Sequence, residues 1–470
     1  MIIRNCAGSE LSGKVITGNN QSVIKMKKIL SIRNLIIGLS AVSACLWMFS
    51  CRTAQPTVDS KDLSYLYNPT KSSIKPLYDV LNESDESSEL SVKFFASELF
   101  FSEANPQGIP LAQILMTVKL YNIDNGMTLK DTANLNLRIV KDESRRDYTY
   151  KVPLIVEPGA NYVAEVKILD RLRLEVIQSF VNFNTLSVTN RYNFMARGNF
   201  GKNELFNPVL HINEYVNLIY SRGSVDSLFI SYYEPLKDVP YPPSMLLPEK
   251  TIDYGPDTVM AFPYSDTLPL MFAREGVYFC TVGRDFPDGY TFFNFGDKFP
   301  SMTTPEVMIE PLAYLASEDE MNEMRSSARP KMALDDFWLK CAGNVEKARE
   351  LIRIYYTRIL YSNYYFTSYK EGWRTERGMI YTIYGPPDKV YKATGGESWG
   401  YLKPVIRSSW GGRYHLKDDY LWFNFRNRED KFSGNDFFLS RSETLVTLWD
   451  QAIASWRKGI VFRLDNPEDF

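Results

Sequence analysis

Two histidines, His211 and His415, make up the whole imidazole complement of 470 residues, and they stand about 200 positions apart. Neither sits in a metal-ligand spacing such as His-Glu-x-x-His, so the sequence offers no zinc ligand set. It also has no Gly-x-Ser-x-Gly nucleophile elbow and no phosphate-cradling glycine loop. The pairs Asp285/Asp288 and Asp418/Asp419 are acidic enough to attract a cation weakly, but they lack the ligand ladder of a calcium loop and read as solvated loops. Carboxylate pairs of the kind that hydrolyse glycosides arise by chance among 56 acidic residues. The chemistry expected of this chain is therefore recognition, with no metal, no cofactor and no catalytic residue. Cys280 and Cys341 lie far apart and are expected to remain separate buried thiols. The richest recognition chemistry is aromatic. SSWGGRYHLKDDY (residues 408–420) mixes glycine, aromatic and basic residues on an expected loop, and Trp399, Trp410 and Tyr414 are its candidate surface for a sugar or protein partner.

The chain positions these groups from an N-terminal address. From Met26, Lys27, Lys28 and Arg33 precede the apolar run Leu35 to Phe49, the pattern of a secretory signal, while residues 1–25 read as an over-extended start. The run is about 15 residues, short of the roughly 20 that cross a bilayer. Residues 26–50 resemble a bacterial lipoprotein signal, which implies lipidation of the cysteine that follows. Cys51, preceding the polar RTAQPTVDSKD, is preferred over Cys45, which is followed by the apolar LWMF. Buried acyl chains contribute about 0.8 kcal/mol per CH₂, so several would hold the protein on the membrane. Arg52 at the next position, with no acidic cluster after it, points to the outer membrane and the periplasmic face. Beyond residue 51 the body holds 48 basic and 55 acidic residues, the wrong balance for a nucleic-acid binder.

Hydrophobic content of 44% with 23% charged residues fits several packed domains. Residues 51–72, rich in Ser, Thr, Asp and Lys, read as a membrane tether. Segments of period-two alternation follow, including the hairpin around NESDESSE and the runs at Leu135–Ile139, YVAEVKILD and LRLEVIQSFVNF; about seven strands make residues 73–189 a β-sandwich. Residues 190–316 read as a second one. There Gly276, Tyr278 and Cys280 reproduce the Gly-x-Tyr-x-Cys pattern of an immunoglobulin strand F, though no partner cysteine exists for a disulfide. From Ser317 the period becomes helical, and Asn344 is placed to cap a helix from Val345 to about Phe366. Residues 317–470 are expected to form an α+β unit with helices on an antiparallel sheet, so the fold class is mostly β and multi-domain.

One segment carries a family resemblance. Gly372-Trp373-Arg374-Thr375-Glu376, then Arg377-Gly378 and Tyr384-Gly385-Pro386-Pro387-Asp388, resembles the signature of the GWxTD domain family of bacterial envelope proteins, with Glu376 where the motif has Asp. The arrangement of lipoprotein signal, β-domains and C-terminal unit resembles Bacteroidetes members. The family brings no catalytic residues to carry over. Physically the segment reads as architecture. Gly372 is expected to end the long helix in a left-handed conformation, Trp373 to cover a helix–sheet seam, and Thr375 to cap a turn. Gly378 would permit close backbone approach, Met379 to Tyr384 would be a strand, and Gly385-Pro386-Pro387 would turn the chain to aim Asp388. On this reading Trp373→Ala costs roughly 3–5 kcal/mol and Glu376→Gln far less.

The expected function is an outer-membrane-anchored, periplasm-facing lipoprotein that acts without catalysis as an interaction or scaffold protein in envelope assembly or secretion. It would touch the membrane through its lipid and bind envelope proteins. A module binding peptidoglycan or another envelope glycan through the exposed aromatics is the alternative, and a hydrolase is a more remote one.

Overall fold

The computed structural model describes residues 61–198, 201–243, 245, 255–393, 395–403, 409–410, 413–414, 419–428 and 430–464. The signal segment, Cys45 and Cys51 lie outside the described residues, as do the side chains of Trp410 and Tyr414. Val58–Phe470 forms one compact unit.

Period-two alternation builds its first layer. Seven strands, β1 (Leu77–Asn82), β2 (Ser87–Phe95), β3 (Leu111–Asn122), β4 (Thr128–Val140), β5 (Asp147–Ile155), β6 (Asn161–Asp170) and β7 (Glu175–Asn184), form two antiparallel sheets ordered β1-β2-β5 and β4-β3-β6-β7. In β3, Ala112, Ile114, Met116, Val118 and Leu120 are all buried, and they meet Leu90, Val92 and Phe94 of β2 in one core. A second pair of sheets follows, from β8 (Phe194–Gly198), β9 (Asn203–Glu204), β10 (Tyr215–Tyr220), β11 (Ser227–Tyr233), β12 (Thr258–Pro263), β13 (Leu270–Met271), β14 (Gly276–Thr281) and β15 (Tyr290–Asn294). Their orders are β13-β10-β8-β9 and β12-β11-β14-β15. The Tyr278 hydroxyl donates to the Arg274 carbonyl at 2.7 Å, the backward bond of a tyrosine corner. Cys280 and Cys341 are free and buried, and burial pushes both thiols up, away from the reactive thiolate.

The C-terminal part is α+β. Helices α1 (Pro305–Ile309), α2 (Glu318–Ser326), α3 (Pro330–Ala342), α4 (Val345–Phe366) and α5 (Glu376–Tyr384) precede a sheet of β16 (Lys389–Ala393), β17 (Gly396–Leu402), β20 (Tyr420–Arg428) and β21 (Asp436–Leu439). Between β17 and β20 lies the small hairpin of β18 (Ser409–Trp410) and β19 (Arg413–Tyr414), and α6 (Glu443–Arg457) follows β21. Helical structure thus begins upstream of Ser317, where Pro305 supplies a preset first turn. Ser317 and Glu320 form a reciprocal capping box on α2. Asn344 caps α4 by accepting from the Lys347 amide at 2.9 Å. One sheet face, with Val390, Trp399, Tyr401, Leu421, Phe423 and Phe425, packs in a single core with Phe366 of α4, Ile380 and Tyr381 of α5, and Trp449 and Trp456 of α6. Among the described residues no helix is long and apolar enough to cross a membrane.

Three expectations need correction. Met379 to Tyr384 is helical, not a strand. Every residue from Arg377 to Tyr384 is buried, and a short apolar run of that kind cannot be told from a buried strand by its pattern alone. Gly372 does not end α4 in a left-handed conformation; that helix stops at Phe366, and Gly372 opens a separate 3₁₀ turn to Arg374. Finally, the described part of the supposed tether is packed. Leu63 and Tyr67 are buried in the C-terminal core, and the Leu63 amide donates to the Val390 carbonyl on β16 at 2.8 Å.

Candidate functional site

The signature lies where the helices, the C-terminal sheet, the β11–β12 connection of the second sandwich and the N-terminal segment meet. Its backbone is set by two glycines. A Cβ on Gly372 would fall 2.0 Å from the Ser362 carbonyl oxygen of α4, and one on Gly378 1.9 Å from the Gly372 carbonyl oxygen. Only hydrogen fits between these backbones. Thr375 completes the turn: its hydroxyl accepts from the Gly378 amide at 3.0 Å, which caps α5, and donates to the Gly372 carbonyl at 2.7 Å.

Side chains then leave this turn in different directions. Trp373 is fully buried, 5.9 Å edge-on from Tyr314, whose hydroxyl donates to the Trp373 carbonyl at 2.6 Å. The Trp373 amide donates to Asn363 Oδ1 of α4 at 3.1 Å. Arg374 lies 4.1 Å over the Trp373 ring, pairs with Glu371 at 2.5 Å and donates to the Lys237 carbonyl, which belongs to the β11–β12 connection of the second sandwich. Glu376 accepts from the Leu439 amide at 2.6 Å and from both terminal nitrogens of Arg441 at 3.1 Å. Arg441 in turn donates to the Tyr241 carbonyl at 3.1 Å, a second tie to the same connection.

Arg377 enters a buried polar cluster. It donates to Glu397 at 3.2 Å, to the Asn435 carbonyl at 3.0 Å and to the Asn435 side chain, and lies 3.7 Å over the Phe437 ring. Glu397 also accepts from the Tyr67 hydroxyl at 2.7 Å and the Trp399 indole at 3.0 Å, and pairs with Lys392 at 3.1 Å. Burial opposes ionisation of Glu397, but Lys392 and Arg377 together with these donors hold its carboxyl down at about 2. The same charges run the other way for Lys392: burial disfavours the ammonium, and Glu397 raises it above the ordinary range. The cluster sets Arg377 and the partly exposed Lys392 against Glu397, leaves Arg377 Nε buried without a hydrogen-bond partner, and takes in Tyr67 from the N-terminal segment.

The end of the signature is also tied down. Gly385 has φ +87°, and a Cβ there would come within 2.8 Å of the Arg358 guanidinium. Arg358 donates to the Thr382 and Ile383 carbonyls at 3.1 and 2.7 Å, satisfying the C-terminus of α5; burial lowers its pKa to about 10. The Tyr401 hydroxyl donates to the Gly385 carbonyl at 2.8 Å. Pro386 is half-buried and Pro387 buried, and Asp388 accepts from the Leu402 amide at 2.8 Å.

The structure separates the candidate aromatic surface. Trp399 points into the core and is fully buried, so it belongs to no exposed surface; its inward register beside Val390 and Phe423 is the reason. Residues that the sequence reading did not single out complete the junction: Tyr67, Tyr314, Lys392, Glu397, Asn435 and Arg441. The available signal was Glu397, an acid two positions before Trp399 on the strand's inward face, which demands a buried cation. Among the described residues no cluster of His, Cys, Asp and Glu could hold a metal ion. A groove of about 500 Å³ between α2 and α3, lined by Glu320, Met324, Arg329, Met332, Phe337 and Lys340, shares no residue with the signature.

Residues 276–458 match the model of the GWxTD domain, so the match starts at β14 of the second sandwich and includes the whole signature. No curated protein matches the chain. Among solved structures, a calcium-binding mutant of Bacteroides uniformis beta-glucuronidase 2 is similar over 30% of this chain, at 16% identity and a TM-score of 0.17. That likeness spans 14% of the glucuronidase chain.

Proposed function

We propose, from the premise that residues 276–458 of this chain are a GWxTD domain, that the protein is a non-catalytic scaffold of the bacterial envelope, anchored to the outer membrane by a lipid on Cys51 and facing the periplasm. The observation that supports this reading most is the inward use of the signature. Trp373, Arg374, Thr375 and Arg377 are at most 5% exposed; Trp373, Arg374 and Arg377 each engage another part of the same chain, and Thr375 closes the signature's own turn. A motif used in this way fixes the relative placement of the second sandwich, the helices and the C-terminal sheet, which is what a rigid presenter of binding surfaces requires. The β-domains then offer their outer faces to envelope proteins.

Purification of the tagged full chain from native membranes tests the function. The reading expects defined envelope proteins to co-purify in fixed ratio; recovery of the chain alone after mild crosslinking contradicts it. The anchor is tested by acyl labelling. Cys51→Ala abolishes incorporation on this reading, whereas label lost in Cys45→Ala and kept in Cys51→Ala moves the anchor to residue 45. Protease added to intact cells spares the body if it faces the periplasm, and digestion from outside refutes that orientation.

A further inference from the structure

We propose that the outward face of the C-terminal sheet is a binding site for an acidic glycan, with Trp422 and Tyr391 as its floor; this goes beyond the scaffold reading and does not depend on it. Register puts the relevant side chains on one face. Lys389 of β16 is opposite Gly400 of β17, which is opposite Trp422 of β20; in the next row Tyr391 is opposite Ser398, which is opposite Asn424. Leu421, Phe423 and Phe425 face the core, so Tyr420, Trp422, Asn424 and Arg426 face away from it, recurring about every 6.8 Å along β20.

Gly400 decides the shape of this floor. A Cβ there would lie 2.9 Å from the six-membered ring of Trp422, so the ring can lie down over the strand only because position 400 has no side chain. Tyr391 continues the surface, stacked on Trp422 at 5.5 Å with 25° between planes, and Tyr420 adjoins Trp422 at 5.8 Å. All three rings keep part of their area in solvent. Flat aromatic faces carry negative quadrupole density that attracts the polarised C–H faces of a pyranose ring. Ser398 and Asn424, joined at 2.7 Å, border the rings with hydroxyl and amide groups suited to sugar hydroxyls.

Charge selects an acidic sugar. Lys389 sits 4.6 Å over the Tyr420 ring, and Arg426 is exposed further along the same strand. Of the described acids near this face, Asp436 pairs with Arg428 at 3.6 Å and Asp419 with Lys403 at 3.0 Å, Asp388 accepts from the Leu402 amide and Asp62 from the Val390 amide at 3.1 Å, and Glu397 points inward. A carboxylate or phosphate on a glycan would complement the cations while its ring rests on Trp422.

The test is affinity electrophoresis of the full chain in native gels containing polygalacturonate, alginate or hyaluronan. Dextran serves as the neutral glycan and polyglutamate as a polyanion without sugar rings. The proposal expects retardation by at least one acidic polysaccharide and at least tenfold weaker binding in Trp422→Ala, with Trp422→Phe retaining much of it. Since Trp422 also covers Gly400, Asn424→Ala and Arg426→Ala, which alter exposed side chains, provide the same comparison if Trp422→Ala does not fold. Retardation by none of the three acidic polysaccharides, equal retardation by polyglutamate or dextran, or parent-like binding by the folded variants overturns it.

Discussion

Gly378→Ala sets two physical rules against each other and so tests the account of the signature sharply. Gly378 is the third residue of α5, and helix propensity alone favours alanine by about 1 kcal/mol. The packing says the opposite. The new methyl would sit 1.9 Å from the Gly372 carbonyl oxygen, 2.8 Å from its carbon and 2.9 Å from the Trp373 Cα, so restoring ordinary contact at 3.4 Å requires about 1.5 Å of backbone movement. The obstacles are backbone atoms and cannot rotate away. Gly372 cannot retreat either, because it is itself wedged against Ser362 of α4. Overpacking commonly costs about 1–3 kcal/mol, and a rigid clash belongs at the upper end, so after the propensity gain of about 1 kcal/mol we expect a net loss of about 2 kcal/mol. For a large domain this lowers the melting temperature by about 4–8 °C. Urea unfolding followed by near-ultraviolet circular dichroism reads the change. Gly395→Ala, where nothing lies within 4 Å of an added Cβ, is the control and should be near neutral. Stability equal to or above the parent in Gly378→Ala would refute the wedge.

Glu376→Gln should cost about 1.5–3 kcal/mol, more than the sequence reading expected, since it removes the charge that receives two Arg441 nitrogens and the Leu439 amide; urea midpoints check it. Glu397→Gln should cost about 3–5 kcal/mol because it leaves the buried Arg377 guanidinium, with the partly exposed Lys392 next to it, beside a neutral amide, and a near-parental midpoint would dismiss the cluster as a stabilising element. Asp79, largely covered on β1 and 3.8 Å from Arg191, has its pKa raised by desolvation to about 7. Its folded pKa exceeds its unfolded value, so stability is greatest below about 4 on this account and falls as pH rises through 7; Asp79→Asn should flatten that slope in melts between pH 5 and 8. Glu320 and Glu397 are held at about 2, Glu320 chiefly by Arg457, and they act oppositely: their stabilisation is present above the ordinary glutamate range and lost as pH falls towards 2. Melts of the parent should therefore weaken on both sides of a mildly acidic optimum.

The alternating strands of the sandwiches and the helix from Val345 to Phe366 were legible because each has one buried face, which imprints its period on the sequence. Helix α5 was not, because it is short and buried on all sides, and such an apolar run reads equally well as a buried strand. The cap at Thr375 and the close approach at Gly378 could be inferred locally, whereas the partners of Arg374, Glu376 and Arg377 come from positions as distant as Lys237, Arg441 and Tyr67. Polar composition made residues 61–72 look like linker, yet Leu63 and Tyr67 are the apolar anchors of a docked segment. Trp399 misled for a related reason: an aromatic next to glycine carries no mark of which sheet face it occupies until strand register is known.

The central claim is that the signature is a junction on which the N-terminal segment, the β11–β12 connection of the second sandwich and the C-terminal sheet close together. Native-state hydrogen exchange of the full chain, followed on peptides covering residues 371–385, 61–72 and 237–241, measures this directly. The account predicts that amides of α5 exchange only through openings that also release hydrogen-bonded amides of 61–72, and that Arg374→Ala raises exchange in 237–241. Fast exchange of 371–385 while 61–72 stays protected, with 237–241 indifferent to Arg374→Ala, would contradict it.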